Sequence, residues 1–438
     1  MRASGGCFSQ PLTVRVLCFL STSLEKSRSF RALLALGAWL EASFRASALR
    51  RAAGGIASLY PGRLWGWFDR ASGRLEFTLS PPAVVGIAYV AFLAAGSASG
   101  LSPASYLLVA AYLLAFGAAY RICSGVRIRE VVFDAESLRL GGVLMLASVL
   151  ALCADLYRAG AVPLIEPAAR MKLSVPLTYA STFLVPAGLI LGARVCEGYR
   201  RGTLGRGEAR MYLLALGACT VFLITLLGFR TQTAVGVLSF LILMRIYRLV
   251  GNAEILAALL ALLGAVGAIG AYRLASGGGE AGLWEVVGGR AQLTVAVYDQ
   301  LVRQLQEAGG LLTGYYGGRL ALSTFSSFLG FVPGPGLGAR TAVAMEFGVT
   351  GISMTSTLLG TVVLDLGLVG VVLFGLATGA AVGSGKAISS SPLGAALYSI
   401  LLAYMLTGIE TGLVDFSVLL LFAAAPALAL CSAWRCRG

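Results

Sequence analysis

The stretch LGLVGVVLFGLATGAAVGS, Leu366 to Ser384, decides the class of this protein. It carries no charged residue, and its length is close to the roughly 20 residues a helix needs to cross the hydrocarbon core of a bilayer. Stretches of the same kind recur on both sides of it. Spans are expected at 393–409 and 413–432 on the C-terminal side, and at 82–99, 103–120, 138–156, 176–195, 211–228, 232–249 and 253–273 on the N-terminal side. The expected fold is all-α: a polytopic integral membrane protein of about ten transmembrane helices with one large extracytoplasmic loop.

Composition agrees. Hydrophobic residues make up 58% and charged residues 12% of the chain, with a mean hydropathy of +0.84, whereas a soluble domain is charged at about a quarter of its positions. The formal net charge of +14 comes from arginines spread over short loops, as cytoplasmic loops carry them, so no nucleic-acid partner is inferred. Histidine is absent, which excludes imidazole metal sites and any dyad of a nucleophile with His. None of the eight cysteines lies in a CxxC pair, and the topology expected below puts none in an extracytoplasmic loop, so neither a thiolate zinc site nor a disulfide is expected. No metal or cofactor is called for.

Residues 1–80 do not read as a span. Eleven basic residues against four acids give this segment +7, half of the whole charge. With Trp65, Trp67 and Phe68 they suggest a cytoplasmic basic amphipathic segment lying on an anionic inner leaflet. Helices 1–7 then occupy 81–273, the large loop 274–349, and a last region 350–438 completes the chain. The N-terminal segment and the loops holding Arg121, Arg127 and Arg129, Arg194 to Arg210, Arg245 and Arg248, Lys386, and Arg435 and Arg437 form the more basic set. Both termini are therefore expected in the cytoplasm of a multi-pass plasma-membrane protein, with the large loop outside. Residues 341–364 leave two readings open. They form either a further span, which would send the C-terminus outside, or a re-entrant or interfacial helix leading into Leu366. Glu346 and the Gly and Thr content favour the second.

The loop from Arg273 to Phe347 holds most of the polar chemistry. Arginines on the outer face run against the usual bias: Arg158, Arg170 and Lys172 share one short loop, Arg230 closes a tight hairpin, and Arg290 and Arg340 lie in the large loop. They serve either as interfacial anchors or as a cationic pocket for the phosphate oxygens of a lipid, which the planar guanidinium fork suits. Asp299, Glu346 and Asp365 are the favoured acid-base candidates, with Glu166, Glu285 and Glu410 on the same side. Asp365 has an alternative role as N-cap of the span at Leu366. The aromatics Tyr298, Tyr315 and Tyr316 suit either stacking on sugar rings or anchoring at the interface. Gly334 to Gly338, a lone GPGLG run with no strand before it, reads as a turn and not a nucleotide cradle.

Three patterns occur in a fixed order: Gly160-Ala161-Val162-Pro163-Leu164 followed by Arg170; Gly228-Phe229-Arg230-Thr231; and Thr355-Ser356-Thr357-Leu358-Leu359-Gly360 followed by Asp365-Leu366-Gly367-Leu368-Val369-Gly370. Over about residues 138–384 this order resembles the oligosaccharide repeat-unit polymerases of the Wzy type, the O-antigen polymerase family, with its "GxPL"-like outer loop and "DxGxxG"-like helix. The first motif departs by one residue, two instead of one separating Gly160 from Pro163.

The resemblance implies a GT-C-like, inverting, metal-independent glycosyltransferase. Its partners would be the bilayer, a polyprenyl-diphosphate-linked oligosaccharide on an undecaprenyl or dolichyl carrier, and a chain-length regulator. By motif position Arg170 and Arg230 would grip the diphosphate, with Arg290 and Arg340 completing the clamp. Two rivals remain: an O-antigen-ligase-like transferase, disfavoured by the missing histidine, and a transporter or flippase of lipid-linked oligosaccharide, disfavoured because no internal repeat is visible.

Overall fold

The computed structural model describes residues 81–97, 100–126, 137–276, 283–321, 339–348, 354–413 and 416–435. The expected basic segment 1–80 and the Gly334 to Gly338 run of the large loop lie outside the described residues.

Among the described residues every regular element is helical. In chain order they are α1 (Pro81–Gly96), α2 (Pro103–Ser124), α3 (Ser137–Ala159), a 3₁₀ turn (Pro167–Lys172), α4 (Val175–Thr182), α5 (Leu184–Arg200), α6 (Arg206–Thr225) and α7 (Arg230–Ile246). They continue as α8 (Asn252–Ser276), α9 (Leu283–Glu307), α10 (Ala339–Glu346), α11 (Thr357–Ile388), α12 (Pro392–Thr411) and α13 (Phe416–Arg435). Local chemistry sets several starts. Ser102 accepts from Ser105 N at 3.3 Å and is followed by Pro103; Ser391 accepts from Gly394 N at 3.1 Å and is followed by Pro392. Both are serine N-caps with proline in the first helical position.

Helix is found at each of the ten expected stretches, the one at 176–195 being shared by α4 and α5. Six helices are long and apolar enough to cross a membrane: those at 103–124, 139–159, 175–200, 206–225, 357–388 and 392–411. Shorter apolar helices lie at Pro81–Gly96, Glu254–Gly264 and Val418–Ala433. The expected loop contains helix of its own, since α9 occupies 25 of its residues. α12 is apolar and buried nearly all round, which makes it the centre of the bundle.

α2 and the second part of α11 run side by side in the same direction. A Cβ at Gly375 would lie 2.8 Å from Tyr112 O, one at Gly383 would lie 2.7 Å from Tyr120 O, and one at Gly379 would collide with Phe116 O. Three glycines spaced by four residues thus form a smooth strip on which the α2 backbone rests, the small-residue contact by which helices approach closely in a membrane. Tyr112 seals the contact: its ring stacks on Phe116 and Phe374, and its hydroxyl lies 3.3 Å from Thr378 Oγ1. Gly379→Ala is expected to destabilise the protein by about 2–3 kcal/mol, the usual cost of overpacking. Gly142→Ala, on a helix face where nothing lies within 4 Å, is expected to be neutral or mildly stabilising. Denaturation midpoints of the two variants in detergent compare them directly.

α11 is not one rod. At Gly367 the backbone takes φ 60, ψ −147, and a Cβ at Gly370 would sit 3.3 Å from the Val362 carbonyl oxygen. Residues eight apart on a straight helix are separated by about 12 Å, so the chain doubles back at Gly367 into two arms, 357–366 and 368–388. Levels along the neighbouring helix agree. Gly385 faces Tyr398 and Leu401, while Gly408, further along α12, faces Leu358. The start of the first arm therefore lies near the level of Gly375, below the turn.

Candidate functional site

Two groups of polar residues form around the ends of α7, α11 and α12. In the first, Gly160 ends α3 at φ +71, and Leu164 N donates to Leu226 O at 3.2 Å, laying the 160–172 loop on the 226–230 hairpin. Any side chain at position 228 would meet the Arg170 guanidinium and Pro163 O, each at 3.1 Å, and Gly228 has φ +70. Glycine is required there on both counts. Arg170 lies over the ring of Phe229, 5.2 Å from its centroid, a cation–π contact with the residue that precedes Arg230 and caps α7. The far end of the loop is tied by Asp155. This fully buried carboxylate accepts from Ser174 N at 2.7 Å and Thr178 Oγ1 at 2.6 Å. Arg158 and Lys172 are exposed at the rim.

In the second group, α9 presents Arg290 and Thr294 one turn apart. Arg290 pairs with Glu410 near the end of α12, and Thr294 Oγ1 lies 3.2 Å from Thr355 Oγ1. Arg340 on α10 donates from Nε to Thr411 O at 3.1 Å, and its own carbonyl accepts from Met354 N at 3.1 Å. Two arginines distant in sequence thus meet the last turn of α12 and the start of α11. The groups are linked through Gln232, two residues after Arg230, which accepts from Tyr404 on α12 at 2.9 Å. At 1.5 Å per residue, Glu410 lies about 9 Å further along α12 from that bond.

Glu346 is half-buried and accepts from the Tyr316 hydroxyl at 2.9 Å. Burial, then the hydrogen bond and charge of Glu346, push the Tyr316 hydroxyl above the usual tyrosine range. Tyr315 is exposed.

Three site residues expected from the sequence take other positions. Tyr298 is fully buried, with its hydroxyl donating to Ser105 O at 3.1 Å, so its ring is core and offers no exposed platform. Asp299 accepts from Ser102 N at 2.8 Å, Ser105 Oγ at 2.7 Å and Arg303 Nε at 2.8 Å. It joins α9 to the start of α2. Asp365 does not cap the helix that follows it. Its carboxylate receives Gly318 N at 2.9 Å, Leu320 N at 3.2 Å and Ala321 N at 3.0 Å, three backbone donors of the segment after α9. The same loop covers the turn of α11: Tyr315 N and Gly317 N donate to the carbonyls of Leu364 and Asp365, and Leu368 N and Val369 N donate to Leu311 O and Leu312 O. The "DxGxxG"-like motif is thus a clasp between the broken helix and the loop.

Burial works against ionisation of Asp299, but the Ser102 amide, the serine hydroxyls and Arg303 outweigh it and hold the carboxyl below the usual range. A lowered folded-state pKa contributes stability above the unfolded value, near 4, and that contribution is lost as pH falls through the folded value. Below about pH 4 the α9–α2 junction is expected to loosen. Hydrogen exchange at Ser102 read from pH 6 down to pH 3 checks it: exchange, corrected for intrinsic rate, rises in the wild type, whereas Asp299→Asn is already elevated at pH 6.

Asp155, Thr294, Thr355 and Glu410 gain roles that sequence reasoning had not assigned. Glu410 stood among the outer-face carboxylates, but its partner lies 120 positions away, beyond any local signal. A family model described as "Putative O-antigen polymerase" matches residues 79–422. Among curated proteins, an uncharacterized protein of Methanocaldococcus jannaschii is 27% identical over 287 residues, covering 64% of this chain and 73% of its own length. No solved structure matches the chain.

Proposed function

The chain belongs to the O-antigen polymerase family, and from that premise we propose that it is a membrane glycosyltransferase joining polyprenyl-diphosphate-linked oligosaccharide repeat units into a longer glycan. The observation that supports this reading is two arginine groups, Arg170 over Phe229 next to Arg230 in the chain, and Arg290 and Arg340 at Glu410 and Thr411. A hydroxyl of the acceptor repeat unit attacks the anomeric carbon of the growing chain from the face opposite the diphosphate, and the new glycosidic bond forms with inversion. The bond to the diphosphate breaks, and its electron pair leaves with the phosphate oxygen. Arginines facing that oxygen stabilise the charge that grows on it, in place of a metal. The acceptor proton goes to a carboxylate, for which Glu346, poised by Tyr316, is the candidate. Asp299 and Asp365, occupied by backbone and side-chain donors, hold the loop that carries this base.

In this reading the ten expected spans cross the membrane, the 357–366 arm is re-entrant, both termini are cytoplasmic, and the reaction takes place on the outer face of the plasma membrane. The test is reconstitution in proteoliposomes with lipid-linked oligosaccharide. A ladder of longer lipid-linked glycans that persists in EDTA supports the proposal. Transfer of labelled lipid-linked glycan across the bilayer with no ladder overturns it in favour of a flippase, and a single transfer to a non-glycan acceptor overturns it in favour of a ligase.

A further inference from the structure

The first arm of α11 is unequally finished at its two ends. At its C-terminal end the carbonyls of Leu364 and Asp365 are taken by loop amides. At its N-terminal end Ser356 occupies the cap position with φ −137, ψ 44 and makes no side-chain cap bond. The next residue, Thr357, is β-branched yet has φ 61, a conformation such residues rarely adopt. Its hydroxyl lies 3.1 Å from the Tyr89 hydroxyl and accepts from Leu359 N in the first turn at 3.4 Å.

Two hydroxyls at this end have no hydrogen-bond partner, although both are almost wholly buried. Ser356 Oγ belongs to a residue 2% exposed, and Thr361 Oγ1 to one 5% exposed. Ser356 Oγ is folded over the first turn, where it would clash with any side chain at Gly360. Thr361 follows Gly360 on the same arm. Burying a hydroxyl without a partner is costly, and such groups in a native fold call for an explanation. Around them stand the positive end of a helix dipole and the Arg290 and Arg340 region, joined through Thr294–Thr355 and Met354–Arg340.

We infer that this helix start is a binding site for a phosphate oxyanion, specifically the diphosphate of a lipid-linked substrate, with Ser356 Oγ and Thr361 Oγ1 donating to its oxygens. Helix N-termini are established anion sites, and two buried hydroxyls with free protons complete this one. The assignment of the ligand to a lipid diphosphate rests on the polymerase reading; the presence of an oxyanion site does not.

The test uses the purified full chain in nanodiscs with farnesyl diphosphate as probe, and with farnesol and inorganic diphosphate as comparators. Ser356→Ala and Thr361→Val are each expected to weaken farnesyl diphosphate binding about tenfold, the effect of losing one hydrogen bond to a charged group. Without ligand their melting temperatures should equal or exceed that of the wild type, since no existing bond is removed. Thr220→Val, which deletes a buried unpartnered hydroxyl elsewhere, should leave affinity unchanged. Farnesyl diphosphate binding tighter than inorganic diphosphate supports a lipid source, and equal binding overturns it. Affinities of both variants within twofold of wild type overturn the site, whatever the ladder assay shows. Binding that depends on Ser356 and Thr361 in a protein that forms no ladder keeps the site and removes the polymerase.

Discussion

Gly367→Ala is expected to lower polymer formation by more than 100-fold while leaving the helical content of the bundle intact. Position 367 has φ 60 with ψ −147, a region that is open essentially to glycine alone and costs other residues about 1–3 kcal/mol. An added Cβ would also lie 2.6 Å from Leu311 O and 2.7 Å from Gly314 N. These are backbone atoms of the loop segment that satisfies the break, so they cannot rotate away. Relief requires the 311–321 segment to lift, which frees the donors held by Asp365 and moves Tyr316 from Glu346. Two readouts separate this from general unfolding: hydrogen exchange should accelerate at 311–321, and the α2–α11 contact around Gly375 should stay protected. A variant with normal exchange and normal turnover would show that the fold-back has no bearing on activity.

Arg230→Ala and Arg170→Ala are expected to reduce turnover by about 10²–10³ each, the range found when one stabilising donor is removed from a developing oxyanion. The two effects should add less than independently, since Phe229 and Gly228 place both cations on one hairpin. Arg170→Lys should not rescue, because an ammonium is a point charge without the planar fork that lies over Phe229 and reaches two oxygens at once. The measurement is the ladder assay on folded, monodisperse variants, with farnesyl diphosphate affinity read in parallel. Loss of turnover with unchanged affinity assigns the arginines to the transition state, and loss of both assigns them to substrate binding. Turnover within a few fold of wild type in both variants removes them from the reaction.

Much of the fold was legible because it depends on local apolar runs. A charge-free stretch such as 366–384 has few alternatives to a membrane helix, and a helix stands at each of the ten stretches expected. The family motifs were legible as patterns, but not in what they do. Gly228 and Gly367 look like ordinary glycines in the sequence; only the approach of Pro163 O and Arg170 to one, and of Leu311 O to the other, shows why a side chain is excluded. Asp365 read as an acid or as a cap of its own helix, because a one-dimensional reading offers it only nearby donors. Its actual partners are 44 to 47 positions away.

The sequence by itself determined that the chain is a helical membrane protein with a long polar segment before its last apolar stretches. Periodicity and hydropathy are short-range properties, and the bilayer turns them directly into helices, since no backbone amide exposed to lipid can remain unpaired. The tertiary structure alone decided that α11 doubles back at Gly367, that Asp299 and Asp365 tie the loop down, that Tyr298 is core, and that Arg290 meets Glu410. Each of these follows from pairing buried polar groups across long loops. The energy of such a pair depends on a few tenths of an ångström and an angle, which a linear pattern of residues does not contain.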